Sequence, residues 1–191
     1  MLEKRKPIIG LTMGDPNGIG PEIIVRAITK LNSCLDWRPV IFGDAWVLEQ
    51  IIDKLGSNLQ LRVCENLAEL TGGPCIVDLK VRSRRNWNLG QVSAWGGESS
   101  FQFLKAATEA ALENQIDAIT TAPLSKKALH MAGHHFPGHT EILSALSNGA
   151  PPIMMLTAEG LRAVHISTHV SLRNAIEQLK PNRILEVAQV T

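Results

Sequence analysis

The chain contains no tyrosine, and only four tryptophans and four phenylalanines among its 191 residues. A core so poor in aromatics has to be packed with Ile, Leu, Val, Ala and Met. A surplus of one charge is also missing, since 19 Lys and Arg face 18 Asp and Glu for a formal net charge of +1. That balance gives no electrostatic grip on nucleic acid or on an anionic membrane, and neither is expected as a partner. No apolar run approaches the roughly 20 residues needed to span a bilayer. The N-terminal MLEKRKPIIGLTMGDP starts basic, but its apolar stretch is shorter than a signal-peptide core and breaks at Gly14-Asp15-Pro16. Cysteine is scarce and odd in number. Cys34, Cys64 and Cys75 match neither a disulfide framework nor a CxxC zinc site, so buried reduced thiols in a cytoplasmic protein are the expectation.

What is present is a folding composition, 45% hydrophobic and 19% charged, long enough for one domain or a lean pair. Short β-rich runs alternate with longer amphipathic ones. Strands are expected at 7–13, 38–43, 59–63, 75–79, 117–122, 153–157 and 162–167. Pro21 suits the first turn of a helix through IIVRAITKL, because its fixed φ fits there and its missing N–H costs nothing. Asp44 can cap a second helix that Gly56 stops. Ser93 can start a long third helix, with Phe101, Leu104, Thr108 and Leu112 at helical spacing. Further helices are expected near 125–131, 140–147, from about 171, and after Pro181. Strands separated by helices predict a parallel sheet with helices on both faces. The last stretch, NRILEVAQVT, reads as an apolar helix with no stop signal, as in the first part of something longer.

Four segments could carry chemistry. Gly14-Asp15-Pro16-Asn17-Gly18-Ile19-Gly20 lies between a strand and a helix, where glycines let backbone approach a ligand. Its GxxxGxG spacing is neither GxGxxG nor a Walker A loop, and Asp15 and Glu22 would repel a phosphate; a tight turn is the competing reading. His130, His134, His135 and His139 form a cluster in which i, i+4 pairs could share a metal, but Gly133, Pro137 and Gly138 interrupt the helix this requires. His139 stands apart, because with Thr140 it opens a helix and could meet an anionic substrate; capping by Thr140 is the alternative. In Val164-His165-Ile166-Ser167-Thr168-His169 the two histidines on one strand would be ~13 Å apart and could not share an ion. His169 falls at the strand's C-terminal end, as a metal ligand or as a hydrogen-bonded structural residue. Lys126 and Lys127 follow the strand ending at 122, as anion partners or as ordinary surface lysines.

Taken together the blocks are distinctive. GLTMGDPNGIGPE, GQVSAWGGESSFQFLKAA (90–107), AITTAPLSKKALHMAGHHFPGHTEIL (118–143) and MMLTAEGLRAVHISTHVSLRNAI (154–176) occur in this order. The chain resembles the 4-hydroxythreonine-4-phosphate dehydrogenase family of vitamin B6 biosynthesis, which includes relatives acting on phosphorylated four-carbon sugar acids. The resemblance implies an α/β fold with α/β/α layers of the isocitrate/isopropylmalate dehydrogenase-like type, truncated. Residues 1–122 would belong to a first domain and 123–191 to the start of a second. It implies substrate contacts from His139 and Thr140 in GHTE, and a divalent metal (Zn, Mg or Co) on His169 in THxxLR. It also implies NAD or NADP as cofactor, a small phosphorylated hydroxy acid as substrate and a cytoplasmic homodimer. Lys126 is a further candidate cation for the site. The implied activity is metal-dependent oxidation and decarboxylation of 4-phosphohydroxy-L-threonine. The alternatives are the same chemistry on D-threonate or D-erythronate 4-phosphate, or an inactive ligand-binding fragment. VHISTHVSLRNAI is closer to the sugar-acid relatives. The family's NPHAGE-like and YHDQG-like blocks, with two more metal-binding histidines, do not occur in these 191 residues.

Overall fold

Pro7 and Met13 flank the first strand, β1 (Ile8–Thr12), in the computed structural model, which describes residues 5–31, 36–64, 67, 73–80, 87–149, 151–168 and 170–190. Helix α1 (Gly20–Leu31) starts with Pro21 in its first turn and buries Ile24, Val25 and Ile28. Strand β2 (Arg38–Gly43) is buried from Pro39 onward. Helix α2 (Ala45–Leu55) has both its expected signals: the Asp44 carboxylate accepts from Val47 N–H at 3.2 Å, and Gly56 closes the helix at φ 58°. Strands β3 (Arg62–Val63) and β4 (Cys75–Asp78) follow, then α3 (Ala94–Leu112), capped by the Ser93 hydroxyl on Gly96 N–H at 3.0 Å. Strand β5 (Ala118–Thr121) leads to α4 (Lys126–Met131) and α5 (His139–Leu146).

The five strands form one parallel sheet in the order β3-β4-β2-β1-β5. Period-2 alternation sorts their side chains onto two faces. Leu11 and Ile41 pack with Val25, Ile28, Leu48 and Ile51 of α1 and α2. Ile8, Val40 and Phe42 pack with Ala107 and Ala110 of α3. The α/β/α layering expected from the sequence follows from this division.

The chain divides into two compact units, residues 1–148 and 149–191. The 122/123 domain boundary remains what the resemblance implies. In this chain the first compact unit continues through α4 and α5, which pack on α3. Close approach there depends on Gly97, because a Cβ at that position would run into the Ala128 carbonyl. The second unit holds β6 (Met155–Ala158), β7 (Leu161–Val164), α6 (Leu172–Gln178) and α7 (Pro181–Val190).

Three expectations need correction. β6 and β7 are an antiparallel hairpin and not part of a parallel sheet, because only Glu159 and Gly160 (φ 74°) join them, too few for a crossover. His165 therefore lies beyond the strand. On α3 the buried face is Phe103, Leu104, Ala107 and Thr108, while Leu112 is exposed and Phe101 turns toward His134. Cys64 and Cys75 are joined in a disulfide, with Cα atoms 5.9 Å apart, and are not reduced thiols. Eleven residues separate them in sequence, but pairing of Val63 with Ile76 lays the two segments side by side, and Cys64 N–H donates to the Ile76 carbonyl at 2.7 Å. Peptide mapping after alkylation without reductant should recover Cys64 and Cys75 as one linked species and Cys34 as the single alkylated cysteine. Reduction should lower the unfolding free energy by about 2–3 kcal/mol. Alkylation of all three would contradict the pairing.

Candidate functional site

The strand order reverses at β1. The chain leaves it toward β2, β4 and β3, then returns to its other side as β5. In open α/β sheets ligands sit at such a switch point, beyond the C-terminal ends of the strands. Here the segments at that place are 13–19, after β1, and 122–125, after β5.

The two segments are locked together by backbone. Asp15 N–H donates to the Pro123 carbonyl and Ala122 N–H to the Thr12 carbonyl, both at 3.0 Å. Gly14 has φ 69°, and a side chain there would collide with the Pro123 oxygen and come within 2.8 Å of the Ala122 oxygen. Only glycine meets both demands.

Asn17, to which the sequence pattern gives no role of its own, ties this loop to the entry of α3. Its amide donates to the Ser93 hydroxyl and accepts from Asn88 N–H, each at 2.9 Å. Its backbone N–H donates to the Asp15 carboxylate at 2.9 Å, and its carbonyl accepts from Gly90 N–H at 2.7 Å. Trp87 adds a bond from its indole N–H to the Pro16 carbonyl at 3.0 Å. Burial pushes the Asp15 carboxyl above its ordinary pKa, against the bond from Asn17, which lowers it. Asp15 Oδ1 occupies the space a side chain at Gly96 would need. These groups of Asp15, Pro16 and Asn17 are thus partnered within the protein.

His139 and Thr140 are the first two residues of α5, as expected, and Lys126 is the first of α4. The His139 ring is half-buried, and burial holds its pKa below the ordinary histidine value, opposed by its approach to the Ala122 backbone. Gly138 precedes the helix without offering a side-chain cap. A Cβ at Gly138 would lie 3.6 Å from Glu141 Oε2 and 4.0 Å from Lys126 Cε. One cation, one carboxylate, an exposed Thr140 hydroxyl and a half-buried imidazole therefore gather at the start of α5, behind which stands the switch-point backbone.

Residues 36–191 match the protein family described as pyridoxal phosphate biosynthetic protein PdxA. The chain belongs to this family. It is 39% identical over 181 residues to the D-threonate 4-phosphate dehydrogenase of Cupriavidus necator, a match covering 93% of this chain and 54% of that one. It is equally 39% identical to the D-threonate 4-phosphate dehydrogenase of Salmonella typhimurium, covering 92% and 55%. Among solved structures, a 4-hydroxythreonine-4-phosphate dehydrogenase from Burkholderia phymatum superposes with a TM-score of 0.89 at 36% identity, covering 97% of this chain and 57% of that one. The fold is therefore of the isocitrate/isopropylmalate dehydrogenase-like type. The chain spans a little over half the length of these relatives.

The remaining candidates are dispersed. His134 stacks on Phe101 with ring centroids 3.8 Å apart, and its Nε2 lies 2.8 Å from the Glu98 carboxylate. Burial would raise Glu98, but hydrogen bonds from Gln102 and His134 and the charge of His134 hold it below its ordinary range. His130 Nε2 lies 3.2 Å from the Phe136 carbonyl, with the His135 ring 5.5 Å away. Within the second unit, His165, Ser167, Thr168, Lys180 and Arg183 line a cleft of about 670 Å³, where Arg183 is already bonded to the Ile166 carbonyl and Glu186. His169, the expected metal ligand, lies outside the described residues.

Among the described residues no three His, Cys, Asp or Glu side chains converge, so these residues alone do not fit a divalent ion. At Gly14 and Gly20 the close backbone approaches are to the protein's own Pro123, Ala122 and Met13.

Replacing Asn17 with Ala should cost about 2–3 kcal/mol in urea unfolding, because it strands Asn88 N–H and breaks the Ser93 bond in a buried place. Glu22→Ala, which breaks only the exposed pair with Arg26, should stay within about 0.5 kcal/mol. Equal losses would refute the role given to Asn17.

Proposed function

We propose that this chain supplies the substrate-orienting part of an NAD(P)-linked dehydrogenase that oxidises and decarboxylates a four-carbon hydroxy acid bearing a 4-phosphate. The observation that carries the reading is the GHTE segment. Its histidine is seated against the switch-point backbone, and its helix start is flanked by Lys126. D-threonate 4-phosphate is the favoured substrate, because relatives at 39% identity are named for it. 4-Phosphohydroxy-L-threonine is the second reading, supported by the name of the superposable Burkholderia phymatum structure.

The reaction explains why such groups are useful. Oxidising the C3 hydroxyl of a threonate makes a ketone β to the carboxylate. The C1–C2 bond then breaks, CO2 leaves, and C2 takes a proton from the enolate's surroundings. Both stages need the acid held in one orientation, which a fixed imidazole, a hydroxyl and a lysine can provide. Lys126 presents three donors and no acceptor, which suits a phosphate or carboxylate. NAD or NADP as hydride acceptor, and a divalent ion with His169 among its ligands, enter the proposal through the family resemblance. So do a homodimer, a cytoplasmic location, and a first domain ending near residue 122.

Three compounds test this: D-threonate 4-phosphate, D-erythronate 4-phosphate and 4-phosphohydroxy-L-threonine. Each is supplied with NAD or NADP and a divalent ion, while reduced nucleotide and CO2 are followed and binding is measured by calorimetry. D-threonate 4-phosphate should bind tightest, with CO2 and reduced nucleotide formed one to one wherever turnover occurs. A preference for 4-phosphohydroxy-L-threonine would select the second reading. Failure of all three to bind or react would overturn both.

A further inference from the structure

We infer that His134 is a positioning residue for the candidate site: bonded to Glu98 and stacked on Phe101, it fixes the loop that sets the start of α5. This rests on the substrate reading above and adds to it the side chains that hold that end of α5 in place.

Residues 132–138 join α4 to α5 and include Gly133, Pro137 and Gly138, so the backbone alone leaves their path loosely fixed. Gly133 turns the chain out of α4 at φ 90°, and His134 N–H closes that turn on the Leu129 carbonyl at 3.0 Å. From there side chains fix the path. Glu98, Phe101 and Gln102 share one face of α3, at i, i+3 and i+4. The His134 ring lies flat on Phe101, with centroids 3.8 Å and planes 13° apart, and its Nε2 reaches the Glu98 carboxylate at 2.8 Å. A carboxylate only accepts, so Nε2 carries a proton and donates it to this bond. Gln102 donates to the other carboxylate oxygen at 2.7 Å, which holds Glu98 in turn. Two residues on, Phe136 stacks on the same Phe101 with centroids 6.2 Å apart, and its carbonyl lies 3.2 Å from His130 Nε2.

The loop is thus held at residues 134 and 136, and Gly138 and α5 follow directly. Phe136 also packs on the apolar cluster of Leu104, Leu129 and Ile142, so the anchored loop and the buried side of α5 share one support. With Glu98 41% and His134 22% exposed, the pair adds little to folding stability. Its geometry is specific all the same. Stacking fixes the plane of the His134 ring, and the bond fixes which edge of that ring meets α3. Without the link the loop can rotate about Gly133 and carry His139 and Thr140 with it, and a displacement of about 1 Å in orienting groups can cost as much as ~100-fold.

Two substitutions break the link in different ways. Glu98→Ala removes the acceptor, while His134→Phe keeps the stack and removes the donor. Glu98→Gln retains an acceptor oxygen, and Lys105→Ala, which breaks an exposed pair with Glu109 elsewhere on α3, is the control. In 1H–15N spectra of the free protein the amides of 139–141 should shift in Glu98→Ala and His134→Phe. They should stay at the parent positions in Glu98→Gln and Lys105→Ala, with urea midpoints unchanged throughout. Calorimetry with D-threonate 4-phosphate should find binding weakened at least about tenfold by either link-breaking change, no further by both together, and less than about threefold by Glu98→Gln. Unmoved amides at 139–141 in both link-breaking variants, or unchanged affinity in both, would overturn the inference. So would affinity that falls only in step with the urea midpoint, which would mark the pair as structural. If no four-carbon acid binds even the parent, the substrate reading fails by itself, and the amide shifts alone decide whether His134 positions α5.

Discussion

The constraint on which the candidate site depends is the meeting of two backbones at Gly14. There the loop after β1 presses against the carbonyls that follow β5, with φ at 69° and no room for a Cβ. Much of the candidate site hangs from this contact. Asp15 N–H holds Pro123, and Ala122 N–H holds Thr12. A glycine-rich turn between strand and helix suggests a cradle for a ligand. In this protein it is a joint that seats protein against protein, and the candidate ligand-binding groups lie at the start of α5.

The polar groups of the joint follow the rule that buried donors and acceptors find partners. Asn17 uses its amide on both sides and its backbone at both ends, reaching Asn88, Gly90, Ser93 and Asp15. Asp15, nearly buried, sits against Gly96 in the first turn of α3, where a helix N-terminus favours a carboxylate even as burial opposes its charge. Charge available to a ligand is then left to the exposed rim, where Lys126 and Glu141 flank Gly138.

Local signals were legible wherever one residue decides a local geometry. Pro21, Asp44, Gly56 and Ser93 marked helix ends that the structure confirms, and the run of β-rich segments between them gave the parallel sheet. The GHTE and THxxLR blocks pointed to the family, and His139 and Thr140 open α5 with Lys126 near Gly138. Asn17 stayed hidden because its side-chain partners lie 71 and 76 residues away, so no spacing near it carries the signal. The Cys64–Cys75 pair was missed for a related reason, since adjacency depends on strand register and not on sequence distance. Leu112 misled because helical spacing continues to the last residue of α3, where the side chain is exposed. The β6–β7 hairpin was misjudged by extending a parallel pattern across a two-residue connection.

The most direct test of the joint compares two glycines of similar conformation and different surroundings. Gly14 and Gly56 have φ of 69° and 58°, but a Cβ at Gly56 would meet nothing within 4 Å. Alanine at either position carries the cost of a left-handed backbone, roughly 1 kcal/mol. At Gly14 it must also push the Pro123 and Ala122 carbonyls aside, an overpacking cost of about 1–3 kcal/mol. Urea unfolding of the two variants side by side should therefore find Gly14→Ala less stable than Gly56→Ala by at least about 1 kcal/mol. Equal stabilities would show that the loop after β1 has room to spare, and that it does not hold the site in place.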